Sequence, residues 1–157
     1  MRRKDREVTD KNVIYEIIEK CQCCRIGMID VDEVYIIPMN FGYSTNDEER
    51  LVFYFHSAKV GRKIELIEKN KKVTFELDTD HKLNESEEAC GYSYRFASVM
   101  GTGKISLITD TGEKEQGLSI IMKHYTGKSD WKFPEKAIET TAVFKIEVSS
   151  ISCKVHS

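Results

Sequence analysis

Hydrophobic and polar residues alternate along several segments of the chain, at the spacing that predicts half-buried β-strands. The clearest segments are residues 73–77 and 141–148, where an apolar residue recurs at every second position. The same kind of pattern, or a short β-branched and aromatic run, predicts strands at residues 24–30, 33–40, 51–56 and 94–107. Residues 151–155 extend the last strand. The pattern therefore predicts six strands.

Apolar residues at helical spacing predict three helices, at residues 12–20, 60–69 and 111–125. Thr9 and Asp10 stand where an N-cap is expected for the first of them. Residues 41–50, 78–89 and 126–135 lack either period and are predicted to be loops. Because strands and helices do not alternate regularly, the predicted fold class is mainly β (α+β), an antiparallel barrel with peripheral helices.

The size and charge of the chain narrow the possible functions. Its 157 residues, of which 40% are hydrophobic and 32% charged, predict a single domain over residues 1–157, with residues 1–8 as a mobile arm. The net charge of −2 disfavours binding to nucleic acid or to a membrane surface. No apolar run approaches the roughly 20 residues of a membrane span, so a cytoplasmic location is expected.

The five cysteines are expected to be reduced thiols. Three of them, Cys21, Cys23 and Cys24, form a cluster, but no second cysteine or histidine pair completes a tetrahedral metal site. Ordinary half-buried thiols are the favoured interpretation, with metal or redox chemistry left open. Three histidines are expected at the surface: His81, His124 and His156.

The most informative segment is the corner that joins the strand ending near His56 and Ser57 to the helix that begins near Arg62 and Lys63. A helix start offers free N–H groups and the positive end of the helix dipole, which bind anions. Two cations there oppose the dipole unless an anion is present. The corner is therefore predicted to be a phosphate cradle, although a solvated helix start is the alternative.

Four segments occur in this order along the chain: Tyr35-Ile-Ile-Pro-Met-Asn40, Phe53-Tyr-Phe-His-Ser57, Gly61-Arg-Lys63 and the run from Tyr94 to Gly103. In this order they resemble the motifs of the pyridoxamine 5′-phosphate oxidase-like flavoproteins. The resemblance is to their nitroimidazole-reductase-like branch. It implies a six-stranded antiparallel split β-barrel that binds FMN at the subunit interface of a homodimer.

The resemblance also implies the residues that would bind FMN. The end of the second strand, at Pro38, Met39 and Asn40, would line the flavin ring with its backbone. The phosphate would be held by His56, Ser57, Arg62 and Lys63, and the ring would also be contacted by Ser98 and Val99. Trp131 is a further candidate, as an aromatic wall beside the flavin, with lid or core packing as its alternative role.

Two departures from the family pattern limit what the resemblance implies. Residues 35–40 contain no arginine, and neither does the tail at 148–157, so a true pyridoxamine phosphate oxidase is not expected. The leading hypothesis is an FMN-dependent oxidoreductase that takes hydride from NAD(P)H and reduces a small electron-poor acceptor such as a nitro compound. A flavin or haem carrier or sensor without turnover is the alternative, with His56 as the haem ligand candidate. An empty, vestigial site is a third possibility.

Overall fold

Eight antiparallel strands and four α-helices make up residues 3–157, the part of the chain that this computed structural model describes. The strands are β1 Glu7–Val8, β2 Cys24–Asp30, β3 Glu33–Met39, β4 Gly42–Thr45, β5 Leu51–Ala58, β6 Lys72–Asn84, β7 Ser93–Ile108 and β8 Thr141–His156. The helices are α1 Lys11–Lys20, α2 Arg62–Lys69, α3 Thr111–Thr126 and α4 Glu135–Thr140.

The strands form one sheet in the order β3-β2-β6-β7-β8-β5-β4, and β1 pairs with the far end of β8. The two longest strands, β7 and β8, pair along almost their whole length, so that each serves both halves of the sheet. Their ladder shifts register between Thr102 and Gly103, which leaves Ser149 as an extra residue on β8. This architecture agrees with the expected split β-barrel, with eight strands where six were predicted.

The core lies inside the barrel and follows from the alternation in the sequence. Inward residues of three strands, β5, β6 and β8, supply fully buried phenylalanines, among which the Phe55 and Phe144 rings stack at 5.3 Å. The helices cover the outside and the ends: α3 packs on β4 and β5, and α1 on β6 and β7. No helix among residues 3–157 is long and apolar enough to cross a bilayer.

Several predicted elements are confirmed closely. Strand β2 has the predicted bounds, and α1 begins after Asp10, whose side chain accepts a hydrogen bond from the Asn12 N–H at 2.8 Å. Helix α2 begins at Arg62, two residues after its predicted start. Residues 151–155 do continue the last strand, as expected.

Two predicted loops are wrong because strand pairing overrides the local pattern. Residues 42–45 form β4, which pairs with residues 51–54 of β5. Strand β6 runs on through the acidic segment to Asn84, because the long strand β7 supplies partners for it as far as Ser93. Of the second predicted loop, only residues 85–92 remain outside the strands, and they include a 3₁₀ turn at Ala89–Gly91.

Smaller differences lie at the two ends of the chain and before β8. Residues 135–140 form α4 ahead of the last strand. Of the predicted arm at residues 1–8, Glu7 and Val8 pair with Lys154 and Cys153, and Lys4–Arg6 form a 3₁₀ turn. The arm therefore ends before residue 8, earlier than predicted. Residues 1 and 2 lie outside the described part of the chain.

Candidate functional site

The predicted phosphate corner is built by the end of β5, a three-residue connection and the first turn of α2. Gly61 is the N-cap residue of α2, with φ at 124°, a conformation that is essentially restricted to glycine. Gly61 has no side chain, so no side-chain hydrogen bond caps the helix. The Gly61 carbonyl accepts from Ile64 N–H at 2.9 Å and Glu65 N–H at 3.3 Å, so the earlier N–H groups of the turn, on Arg62 and Lys63, remain available to an anion.

Arg62, at this corner, is already paired with acidic residues. Its Nε donates to Asp30 Oδ2 at 2.7 Å and its Nη2 to Glu33 Oε2 at 3.3 Å. The guanidinium also lies 4.8 Å from the centre of the Tyr35 ring. The hydrogen bond to Asp30 is the main cause that raises the pKa of Arg62. Arg62 therefore fastens α2 to the β2–β3 hairpin, and a phosphate would have to share it with two carboxylates.

Lys63 differs from its neighbour. Its side chain is half-buried, and within residues 3–157 it makes no ion pair and no hydrogen bond. Lys63 lies in the first turn of α2, where the positive end of the helix dipole disfavours a cation unless an anion is present. Of the two cations predicted to bind phosphate, Lys63 is the one with its charge uncommitted.

His56 and Ser57 cannot both turn their side chains toward one ligand. They are consecutive residues of β5, so their side chains point to opposite faces of the sheet. His56 is exposed, and Ser57 is half-buried with its hydroxyl donating to the Ala58 carbonyl at 2.8 Å.

The end of β3 lies at an edge of the sheet. Because β3 pairs only with β2 in the described sheet, the other side of its backbone has free N–H and C=O groups. Pro38 and Asn40 are exposed on the outer face, whereas Met39 is half-buried and packs against the core. A backbone edge next to an exposed face is the kind of surface on which a flat, hydrogen-bonding ring can lie.

Ser98 and Val99 lie on β7, three strands away from β3. Ser98 is half-buried and pairs with Asp78 and Lys154 in register. Val99 is 0% exposed, so its side chain belongs to the core and only its backbone could touch a ligand. Three strand spacings amount to about 14 Å. One protomer therefore does not bring Ser98 into contact with the end of β3.

An ion cluster occupies the surface of β2 and β6, between the end of β3 and Ser98. Arg25, opposite Pro38 in the ladder, has its Nη1 at 2.9 Å from Glu76 Oε2 and 2.7 Å from Asp78 Oδ1. The hydrogen bond to Asp78 is the main cause that raises the pKa of Arg25. Spacing along the chain gave no indication of this cluster, since its members come from two strands paired only in the fold.

Trp131 lies in the connection between α3 and α4. It is 40% exposed, and its Nε1 donates to Thr126 Oγ1 at 3.3 Å, so the ring folds back on the end of α3. Helix α3 ends there at Gly127, in the left-handed conformation. The structure does not bring Trp131 together with the other candidates in any contact among the described residues.

The cysteines are free thiols. Burial is the main cause that raises the pKa of Cys21 to about 12, and it also raises the pKa values of Cys24 and Cys153. Among residues 3–157, no three histidine, cysteine or acidic side chains gather as a metal site. Burial therefore favours the protonated thiol at Cys21, Cys24 and Cys153, and a thiol is a weaker nucleophile than a thiolate.

His124 was expected at the surface, and this is wrong: its side chain is 2% exposed. Its Nε2 lies 2.8 Å from the Cys21 carbonyl, and its ring lies 4.4 Å from that of Phe41. The neighbouring Tyr125 hydroxyl donates to the Gln22 carbonyl at 2.9 Å. These contacts tie α3 to the segment after α1. A single histidine in a helix with weak amphipathic character gave no signal for its burial.

The chain belongs to the pyridoxamine 5′-phosphate oxidase family, whose model matches residues 10–155. It is 37% identical to a candidate 5-nitroimidazole antibiotic resistance protein from Bacteroides thetaiotaomicron, with a TM-score of 0.81 over 95% of this chain and 86% of the other. No curated protein sequence matches the chain.

Two more distant structures share the fold. A flavocytochrome from Azotobacter vinelandii is 21% identical, with a TM-score of 0.82 over 100% of this chain and 72% of that one. An FAD- and haem-binding protein from Mycobacterium smegmatis is 10% identical, with a TM-score of 0.83 over 97% of this chain and 74% of the other.

Proposed function

We propose that this protein is an FMN-dependent oxidoreductase that works as a homodimer, with FMN at the subunit interface. The observation that carries the proposal is the uncapped start of α2 at Gly61, followed by the uncommitted charge of Lys63. The chain is a member of the pyridoxamine 5′-phosphate oxidase family. By its resemblance to the FMN-binding members, this corner is the motif that is expected to hold the phosphate of FMN.

The residues fit the cofactor unequally. Free N–H groups of the first turn and the Lys63 ammonium suit a phosphate, which prefers charged donors. Arg62 fits less well because Asp30 and Glu33 already occupy its donors. Its main contribution would be to hold the corner in place, with its positive charge acting on the phosphate at a greater distance.

The separation of the other candidates supports a dimer. Pro38 and Asn40 lie on the same outer face as Ser98, but about three strand spacings from it. Exposed apolar side chains lie beside them on this face, at Ile36 (63% exposed) and Met100 (50%). A second copy packed on this face would cover the apolar side chains and set its own Ser98 near the first copy's β3.

When bound, FMN supplies two-electron chemistry, with hydride accepted from NAD(P)H and electrons passed to the acceptor. The chain's own part is to bind and orient. Lys63 and the α2 turn fix the phosphate, the free edge of β3 offers hydrogen bonds to the ring, and the apolar face keeps water away from it. The flavin would carry the redox chemistry, and the residues of the corner would tune and position it.

The proposed acceptor is a small electron-poor molecule, with nitroimidazoles as the test case. This part rests on the 37% identical protein named for 5-nitroimidazole resistance. The cytoplasm, where NAD(P)H is available, is the proposed location.

Purified protein tests the proposal directly. We expect a yellow protein that releases FMN on denaturation, or a colourless one that binds added FMN. Anaerobic addition of NADH or NADPH should then bleach the flavin, and a nitroimidazole should restore its colour. Protein that binds no FMN contradicts the proposal. Bound FMN that neither nucleotide bleaches points to a flavin carrier, and a Soret band points to haem.

A further inference from the structure

A small cavity of about 180 Å³ opens between α1, α3 and β4, and its lining includes Glu19, Tyr43 and His124. Past Glu19 and Tyr43, which line both spaces, it continues into an open groove of about 610 Å³ along the exposed side of α1. The groove has the volume of a small-molecule pocket. None of these lining residues lies on β2, β3, β6 or β7, the strands of the face that a second copy would cover. The groove is therefore distinct from the proposed subunit interface and from the flavin corner at α2.

His124 places an unpartnered ring nitrogen at this cavity. Its Nε2 lies 2.8 Å from the Cys21 carbonyl oxygen, which can only accept a hydrogen bond, so Nε2 carries the hydrogen of the neutral ring. Nδ1 is then an acceptor, and within residues 3–157 no group donates to it, although the side chain is only 2% exposed. The Glu19 carboxylate, also an acceptor, has its Oε2 at 3.8 Å from Nδ1. Two acceptors therefore face each other at the cavity.

The geometry fits a single donor group between these two acceptors. A nitrogen at about 2.9 Å from both atoms, the usual length of a hydrogen bond, can bridge their separation of 3.8 Å. It must carry at least two hydrogens, and a positive charge would match the Glu19 carboxylate. A primary ammonium group meets these requirements. Glu19 is 59% exposed, so its side chain can turn aside to admit such a group to the more buried ring.

The groove beyond the cavity adds two aromatic rings and a second carboxylate. The Tyr15 and Tyr43 rings are stacked, with their centroids 6.3 Å apart, and both line the groove together with Glu16. Glu16 lies three residues before Glu19 on α1, so the two carboxylates project from neighbouring positions on one face of the helix. Aromatic faces attract ammonium groups, and apolar surfaces accommodate methylene chains.

Two lysines line the same spaces and bear on the charge of a ligand. Lys20 Nζ lies 3.3 Å from Asp80 Oδ2, so its charge is already compensated. Lys123 lines the cavity and makes no ion pair within the described part of the chain. Its charge disfavours a cation in the cavity, which makes Lys123 a direct test of the charge of the ligand.

We propose that this groove binds an aliphatic diamine or polyamine. One ammonium group would lie between His124 Nδ1 and Glu19, the methylene chain would cross the Tyr15 and Tyr43 rings, and a second ammonium group would reach Glu16. The site is formed by α1, β4 and α3 and does not rest on the proposed function.

Calorimetric titration of the full chain with putrescine, the four-carbon diamine, tests the charge requirement. We expect putrescine to bind, butylamine to bind more weakly, and butanediol, which has the same length without charge, not to bind. Glu19→Gln should weaken putrescine binding by about tenfold or more, because it removes a charged acceptor. Glu68→Gln removes the same charge from α2 and should leave the affinity at its wild-type value. Lys123→Gln removes a competing charge and should strengthen binding severalfold.

Nitrogen NMR of the histidine rings locates the ligand in the wild-type protein, without a substitution at the buried ring. At neutral pH and without ligand, we expect His124 to carry hydrogen on Nε2 alone. Putrescine should shift the His124 Nδ1 signal and leave those of His81 and His156 unchanged. Circular dichroism checks the fold of each variant used in the titrations.

A His124 ring with hydrogen on both nitrogens in the ligand-free protein would overturn the proposal, since Nδ1 would then donate to Glu19. Equal losses of affinity in Glu19→Gln and Glu68→Gln would overturn it too, because binding would then follow net charge alone. A wild-type protein that does not bind putrescine, or an affinity that Lys123→Gln leaves unchanged or lowers, would have the same consequence. Failure of FMN to bind would contradict the proposed function alone.

Discussion

Two basic regions of this molecule look alike in the sequence and differ in the fold. Arg62 and Lys63 are adjacent at the corner, and Lys71 and Lys72 are adjacent where β6 begins. At the corner, Asp30 and Glu33 neutralise one of the two charges. At the start of β6, Lys71 Nζ donates to the Ile67 carbonyl and Lys72 lies opposite Lys104, and the described residues provide no carboxylate within 4.0 Å of the Lys71 or Lys72 ammonium. The number of cations in a segment therefore does not tell how many are available to a ligand.

The largest expected effect is the loss of FMN affinity when Lys63 is changed. Lys63→Ala should weaken FMN binding by roughly 1.5–3 kcal/mol, the range for hydrogen bonds to charged groups. Arg62→Ala should have a smaller effect on FMN, because its donors are already engaged. Fluorescence titration of FMN measures both, with Lys69→Ala at the end of the same helix as the control. Equal losses in the two variants would contradict the distinction drawn between the neighbours.

Gly61→Ala should destabilise the corner itself. A residue with a Cβ at φ 124° carries a strain of about 1–3 kcal/mol, although no atom lies within 4 Å of the added methyl group. Urea unfolding should show this loss in the absence of any cofactor. Gly27→Ala, in which φ is negative and the contact is ordinary, is the matched control. An unchanged unfolding midpoint would mean that α2 can begin with another conformation.

Releasing Arg62 from its acidic partners should strengthen FMN binding. The double change Asp30→Asn/Glu33→Gln removes both carboxylates while keeping their size. Each exposed pair contributes at most about 1 kcal/mol, so a rise in FMN affinity of severalfold is expected. The same titration measures it, and Arg62→Ala in this background should then cost more than in the wild type. A fall in affinity would show that the ion pairs position the corner more than they compete for it.

The smallest expected effect is a gain in stability at the start of β6, where Lys72 lies opposite Lys104. Lys72→Thr removes the like-charge pair with Lys104 and should raise the free energy of unfolding by roughly 0.2–1 kcal/mol in ligand-free protein. The gain should shrink at high salt, which screens exposed charges. Urea unfolding at two salt concentrations measures it. Lys82→Thr, further along the same strand and opposite Arg95, is the comparison variant. Its free energy of unfolding should rise by a similar amount only if Lys82 and Arg95 also repel each other.

The elements that the sequence predicted well are those whose residues carry the information locally. Strand β2 and helix α1 show clear hydrophobic periodicity, and the N-cap residue of α1, Asp10, directly precedes the helix in the sequence. Strand β4 was missed because Gly42, Tyr43 and Ser44 lack alternation. It forms where β5 offers a partner and where Gly42 lets the α3 backbone approach: a Cβ there would lie 2.5 Å from the Ile120 carbonyl oxygen.

The features of the candidate site also divide into those that the local sequence predicted and those that it did not. The position of Gly61 and Lys63 at a strand-to-helix corner was predicted correctly, because it depends on consecutive residues. The pairing of Arg62 with Asp30 was not, since the two are 32 residues apart. His124 was placed incorrectly relative to solvent for the same reason: burial depends on what other segments bring against a side chain.

By itself, the sequence determined the fold class, the order of the motifs and the existence of a basic corner, because period, capping and turn residues act over a few positions. Only the tertiary structure decided which charges are neutralised, because ion pairs form between strands distant in the chain. It also decided that Lys72 lies opposite Lys104, which is 32 residues further along the chain. The register between β6 and β7, which no local pattern encodes, sets these two residues side by side.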